Sequence, residues 1–253
     1  MCKKSMFIFE IAVFFVFGLY FGSFITAISM RIANEQKVFV KYSTCDYCSV
    51  RLKLWHMIPV FGLILCKGKC VKCKNNVGFT YAIWELLHGA CYAINYYIYL
   101  QNNNLPAFVF LCFLTSIFVV ISIIDFKTMY VYDIHIILMG VFLCAFLYYT
   151  NQINISVNSF ILATIPLLFK LTYENIRKMI TKQSVTVLGM ADVKIFVIYF
   201  FFLDFLKISF ILAMCGIFGM LFGFIGRVKN QSYFPFVPSI SLSAYIVFIW
   251  NLL

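Results

Sequence analysis

Long apolar runs separated by short polar segments dominate the chain. They predict eight helices, at roughly 6–29, 81–100, 106–124, 134–150, 156–173, 190–206, 208–226 and 238–252. An apolar run of about 18 residues is long enough to cross a bilayer. The pattern therefore predicts an all-α polytopic membrane protein with about eight transmembrane helices. Pro166 interrupts the fifth run, and the eighth is short. Lys3 and Lys4 precede the first run as they would in a signal peptide. That run is long, however, and no small-x-small cleavage site follows, so it is read as a retained helix. The one sizeable polar segment, 31–79, divides a first helix at 1–30 from a helical core at 80–253.

Composition agrees: 64% of the 253 residues are hydrophobic and only 11% are charged. The net charge of +11 would suggest anionic partners, but its distribution points to topology. With the 31–79 loop in the cytoplasm, seventeen of the twenty Lys and Arg residues fall on that side, and Lys3, Lys4 and Lys207 on the other. Positive charge favours the cytoplasmic side, so both termini are expected outside. No aromatic-basic interleaving or nucleic-acid motif accompanies the charge, which removes nucleic acid as a partner.

The polar loop carries TCDYCSV and KGKCVKCKN. Cys45, Cys48, Cys70 and Cys73 form two C-x2-C knuckles with twenty-one residues between them. Four thiolates in two such pairs can close a tetrahedral structural Zn2+ site with no open position. Lys67, Lys69, Lys72 and Lys74 would offset its charge. Cytoplasmic placement argues against permanent disulfides. A small loop that cannot build its own core would draw folding energy from the metal.

Topology also sorts the acids. Glu35, Asp46 and Glu174 are expected in solvated loops, and Asp204 in an outer turn near Lys207. Glu10 and Glu85 fall within the first two helices. Asp125 closes the third predicted helix and Asp192 opens the sixth, so both arrive at the cytoplasmic end. Acids within a membrane are costly and mark function. Two carboxylates sharing one site hold a single proton between them, which is the arrangement of an aspartic protease. The alternative is that each acid merely ends a helix, with Lys127 and Lys194 as partners. Gly189 and the small Ala191, beside Asp192, would let a bound peptide approach the backbone.

These segments resemble the type IV prepilin peptidases, bifunctional leader peptidases and N-methyltransferases that are GxGD-type intramembrane aspartic proteases. The likeness runs through FGSFITAISMR, the two knuckles with Ile58–Pro59 between them, Tyr81 and Glu85, IDFKTMYVYD, GMADVK and FPFVPSIS. It departs at Ala191, where the family has its second glycine, and at Tyr132, where it has proline. The resemblance implies that Asp125 and Asp192 are the catalytic pair. It also implies a prepilin or pseudopilin substrate, cleaved after the last glycine of a short basic leader at the cytoplasmic face of the bacterial inner membrane. The new amine would then be methylated from S-adenosylmethionine. No Gly-rich dinucleotide fingerprint marks the methyl-transfer site, and Glu85 is the candidate acid for substrate or cofactor binding there, with Gly189 a second candidate. Two other readings are a peptidase without methylation and a membrane scaffold or transporter whose zinc loop binds a partner. The four cysteines weigh against the first, and the lack of paired hydropathy repeats against the second.

Overall fold

The computed structural model describes residues 2–45, 47–77, 79–153, 157–181, 189–228, 235–250 and 252, without the side chains of 2–5, 157–158, 181, 222 and 225–228. Asp46, Phe234 and two of the seventeen cytoplasmic-side basic residues, Lys182 and Lys229, lie outside the described residues. Those residues contain nine α-helices: α1 (Cys2–Ala33), α2 (Phe61–Leu65), α3 (Thr80–Asn102), α4 (Leu105–Thr128), α5 (Asp133–Tyr149), α6 (Val157–Thr181), α7 (Met190–Phe202), α8 (Phe205–Val228) and α9 (Val237–Trp250). No strand occurs among them, only two isolated antiparallel bridges in the loop. Each of the eight predicted apolar runs therefore coincides with a helix, and α2 is an addition.

Among the described residues, two helices are long and apolar enough to cross a membrane: Met6–Ala33 and Leu105–Thr128. The helices at 133–149, 205–221 and 237–250 are apolar but shorter. α6 passes through Pro166 and continues to Thr181, eight residues beyond its predicted end. Glu174 therefore lies in a helix rather than a loop, where it pairs with Lys170 at i,i+4, 3.7 Å away.

The chain divides into two compact units, 1–108 and 109–253. In the first, α3 packs closely along α1. Gly18 and Gly22 make this possible: a Cβ on either would lie 2.7 Å from Tyr92 Cβ or 2.8 Å from His88 Cβ. Small residues four apart let helix backbones approach in an apolar medium. Above this contact Phe14 stacks on Tyr96, centroids 3.9 Å apart, and Tyr96 donates its hydroxyl to Glu10 Oε2 at 3.0 Å. The outward face of α1 shows Phe9, Val13, Phe17, Tyr20 and Phe24, an apolar surface of the kind that marks a membrane or partner contact.

In the second unit α5 and α7 run parallel. Asp133 at the start of α5 pairs with Lys194 near the start of α7, while Lys207, beyond α7, donates to Gln152, beyond α5, at 3.1 Å. Phe248 of α9 meets Phe118, Phe146 and Tyr199, drawing α4, α5 and α7 around one aromatic centre. The side chains at this centre are large and nearly all apolar, so burial of their area is the main source of its stability.

Candidate active site and metal centre

Asp192 is the third residue of α7, and its carboxylate turns back to accept the Gly189 N–H at 3.2 Å through Oδ2. An acid in the first turn satisfies an otherwise unpaired amide and complements the positive end of the helix. Gly189 has φ −58 and ψ 147, so it supplies room rather than an unusual backbone angle. A Cβ there would sit 2.9 Å from Asp192 Oδ2. The glycine leaves space for the carboxylate to fold onto the helix end.

Asp125 lies in the last turn of α4, inside the helix rather than closing it. Its Oδ2 accepts the Val237 N–H at 3.1 Å, across 112 residues. Val237 is the first residue of α9, and Phe236 accepts the N–H groups of Ser239 and Ile240. The Phe-Val-Pro segment thus presents a helix N-terminus to Asp125. This contact escaped the sequence reading because a backbone amide leaves no mark on residue identity. Both acids are buried, Asp125 at 6% exposure and Asp192 at 8%, and each lies within electrostatic reach of the other. Lys170 of α6 also acts on Asp192, and Asp192 in turn on Cys215 of α8. Lys194 pairs with Asp133.

The two departures from the motif are accommodated. Ala191 is an ordinary helical residue of α7, so the added methyl meets no positive φ. Tyr132 caps α5 with φ −70, an angle that proline would impose and tyrosine adopts unaided.

The metal loop is built from two matching knuckles. The bridge Thr44–Arg51 encloses the first cysteine pair and Lys69–Asn76 the second. In each, the N–H of the first cysteine bonds to the carbonyl five residues on, Val50 or Asn75, at 3.0 or 2.9 Å. The residue after the second cysteine, Ser49 or Lys74, takes positive φ and returns its N–H to the first cysteine carbonyl. This brings Cys45 Sγ within 3.9 Å of Cys73 Sγ and Cys48 Sγ within 3.8 Å of Cys70 Sγ, and all four lie within 4.8 Å of one another. A tetrahedral ion with Zn–S near 2.3 Å needs sulfur separations of about 3.8 Å. The donor set fits zinc, and the cysteines are free thiols rather than disulfides.

Backbone N–H groups of Cys73 and Lys72 point at Cys70 and lower its thiol to about 6. Cys73 receives the Asn75 N–H, yet burial and the neighbouring thiols outweigh that bond and push it up to about 11. The fifth loop cysteine, Cys66, caps α2 and stays outside the cluster.

Glu85 is buried at 6% exposure in α3. Its Oε2 accepts the Val60 N–H at 2.7 Å, and the Ser23 hydroxyl bonds to the same carboxylate. Glu85 is thus joined to two of the segments that carry the motif likeness, the Gly-Ser-Phe stretch of α1 and the turn after Ile58–Pro59. Val60 stands at φ 62, ψ −52, and the Phe61 N–H reaches the Pro59 carbonyl at 2.6 Å, which together make a γ-turn of the positive-φ kind. Such a turn is strained, more so at a β-branched residue. The cost is about 1–3 kcal/mol, and a hydrogen bond to a charged group contributes about 1.5–3 kcal/mol.

Among the histidines, His88 is fully buried with Nδ1 3.0 Å from the Gly18 carbonyl, and His56 Nδ1 accepts the Lys53 N–H at 3.4 Å. No histidine joins the cysteine cluster.

Residues 16–99 match the family model described as the bacterial peptidase A24 N-terminal domain. The chain is 24% identical to the prepilin leader peptidase/N-methyltransferase of Bacillus subtilis (strain 168), covering 95% of this chain and 94% of that protein. It is likewise 24% identical to the protein of that name from Vibrio cholerae serotype O1, with 93% and 94% covered. To the protein of that name from Neisseria gonorrhoeae it is 23% identical, with 83% and 71% covered. No solved structure matches the chain. Along most of its length this chain is similar to proteins named prepilin leader peptidase/N-methyltransferase, and its residues 16–99 match the bacterial peptidase A24 N-terminal domain model.

Proposed function

We propose that the protein is a bifunctional intramembrane enzyme. It removes the short basic leader of a type IV prepilin or pseudopilin after glycine, using Asp125 and Asp192, and then methylates the new N-terminal amine. The observation that carries this reading is the pair of buried carboxylates from α4 and α7, each tethered through Oδ2 to a backbone amide and each within the other's electrostatic reach.

In the reaction, one carboxylate takes a proton from a water held between the two. The resulting hydroxide attacks the carbonyl carbon of the leader's last glycine, and the other, protonated acid gives its proton to the carbonyl oxygen. Collapse of that intermediate breaks the C–N bond. A proton returns to the leaving nitrogen, which becomes the new terminal amine. The two tethers keep each carboxylate oriented, so little reorganisation is needed as charge develops. Lys194, paired with Asp133, leaves the acids to act on one another.

The names of the relatives support N-methyl transfer, for which S-adenosylmethionine is the proposed donor. The described residues contain no strand, and so no doubly wound sheet with a nucleotide crevice. They do not fit the usual soluble form of such a site. Glu85, with its bonds to Val60 and Ser23, is the acid on the α1–α3 side proposed to serve substrate or cofactor binding. Gly189 contributes on the peptidase side. The four cysteines hold a structural Zn2+ that supplies folding energy to the loop. The apolar helices span a bacterial inner membrane, with the acids at the cytoplasmic face and the lipid in contact with α1.

The deciding experiment incubates purified protein with a synthetic prepilin that retains its apolar helix, with and without S-adenosylmethionine. The wild type is expected to release the leader in both cases, and to add a methyl only with the cofactor. Asp125→Asn and Asp192→Asn are each expected to lower cleavage by about a thousandfold or more. Full cleavage by either variant overturns the proposal.

A further inference from the structure

We propose that Glu85 is a latch that docks the metal-binding loop on helices α1 and α3, holding the Val60 amide so that a strained turn persists only while the carboxylate is in place. The latch uses the same Glu85 proposed above for substrate or cofactor binding, and it is read out by a measurement apart from that chemistry.

Three features lead to it. Val60 lies twelve residues after Cys48 and ten before Cys70, so it occupies the middle of the span between the knuckles. The knuckles close through their own hydrogen bonds, and nothing in them requires Val60 to take φ 62. The strained angle is confined to the turn between Pro59 and the start of α2. There Gly62 packs so closely that a Cβ would collide with the His56 carbonyl oxygen.

The partner of Val60 is the second feature. Glu85 is a buried carboxylate on a different element, and a buried acid without donors is strongly disfavoured. It obtains one donor from its own helix pair, Ser23, and the other from the loop, Val60. Loop and helices thus depend on each other at one hydrogen bond of 2.7 Å.

The third feature is balance. The strain at Val60 and the strength of a hydrogen bond to a carboxylate are of the same size, so the docked turn is held by a narrow margin. Removing either contribution is expected to move the equilibrium in opposite directions. Loss of Glu85 releases the loop, whereas loss of the strain tightens it. A contact that merely fills space would not respond with opposite signs.

The test is hydrogen exchange on the full-length protein in detergent with Zn2+ added, comparing Glu85→Ala, Val60→Gly and the double variant with the wild type. The probes are the amides of Gly62, Ile64 and Cys66, which bond to the carbonyls of Ile58, Val60 and Gly62. In Glu85→Ala these amides are expected to exchange about tenfold faster or more, with one Zn2+ retained. Val60→Gly, in which positive φ carries no steric cost, is expected to exchange about threefold more slowly than wild type. The double variant should recover at least about threefold of the protection lost in Glu85→Ala. Unchanged exchange in Glu85→Ala overturns the proposal. If that variant fails to fold, Val60→Gly decides alone: slower exchange supports the latch, and equal or faster exchange overturns it. The readout involves no cleavage or methylation, so failure of the proposed activity leaves it intact, and the reverse also holds.

Discussion

At the scale of the residue, the glycine before Asp192 has a specific task. Its missing Cβ leaves room for the carboxylate to fold back on its own helix end, 2.9 Å from where the methyl would stand. Gly189→Ala is therefore expected to lower the cleavage rate by about a hundredfold, the penalty of a displacement near 1 Å in a catalytic group. Ala191→Gly, two residues on, touches no such contact and should leave the rate within about threefold, while costing about 1 kcal/mol of helix stability. Steady-state cleavage of a synthetic prepilin and thermal unfolding check the pair. Equal losses for both substitutions would show that α7, and not the carboxylate's room, is what matters. The carboxylates themselves were legible in the sequence because acids are rare in apolar runs. Their amide partners were not, since Val237 and Gly189 contribute only backbone.

At the scale of the element, the two knuckles behave as one folding unit. Zn2+ can bind only thiolates, so binding releases whatever protons the cysteines still hold. Cys70, lowered to about 6, is mostly ionised at neutral pH, whereas Cys73, pushed up to about 11, is protonated. Because the folded value of Cys70 is depressed, the stability it contributes is present above its ordinary thiol range and is lost as pH falls through about 6. Zn2+ affinity is expected to weaken steadily from pH 8 to pH 6, with fewer than four protons released per ion at neutral pH. Calorimetry in buffers of different ionisation enthalpy measures that number. Cys70→Ser should weaken binding by more than the 10–100-fold typical of outer-shell changes. Retention of full affinity would exclude Cys70 as a ligand. The spacing of the cysteines announced this cluster. It also set Cys66 aside, which belongs to neither C-x2-C pair, while the turn geometry that gathers the four thiols came only from the structure.

For the molecule as a whole, close helix pairing distinguishes two kinds of glycine. Gly22 is required by the α1–α3 contact, since a Cβ would press on His88 at 2.8 Å. Gly22→Leu is expected to destabilise the first unit by about 1–3 kcal/mol or more through overpacking. Gly216→Ala, in α8, meets no described atom within 4 Å. It should raise stability by up to about 1 kcal/mol, the difference in helix propensity. Thermal unfolding of the two variants in the same detergent gives the comparison, and destabilisation by Gly216→Ala would reveal a contact at that face. Neither outcome could be forecast from the glycines alone, as both lie in apolar helices of similar composition.

Much of the architecture followed from the sequence alone. The apolar runs determine where helices form, because a backbone without water must satisfy its own hydrogen bonds. The cysteine spacing determines that a metal can be held, because thiolate ligation has one geometry. Tertiary structure decided what those rules leave open: that α6 continues through Pro166, that Lys194 takes Asp133, and that Asp125 receives the end of α9. It also decided that Glu85 reaches the loop at Val60. Each of these joins residues distant in the chain through shape or a backbone amide, and neither leaves a periodic trace for sequence to show.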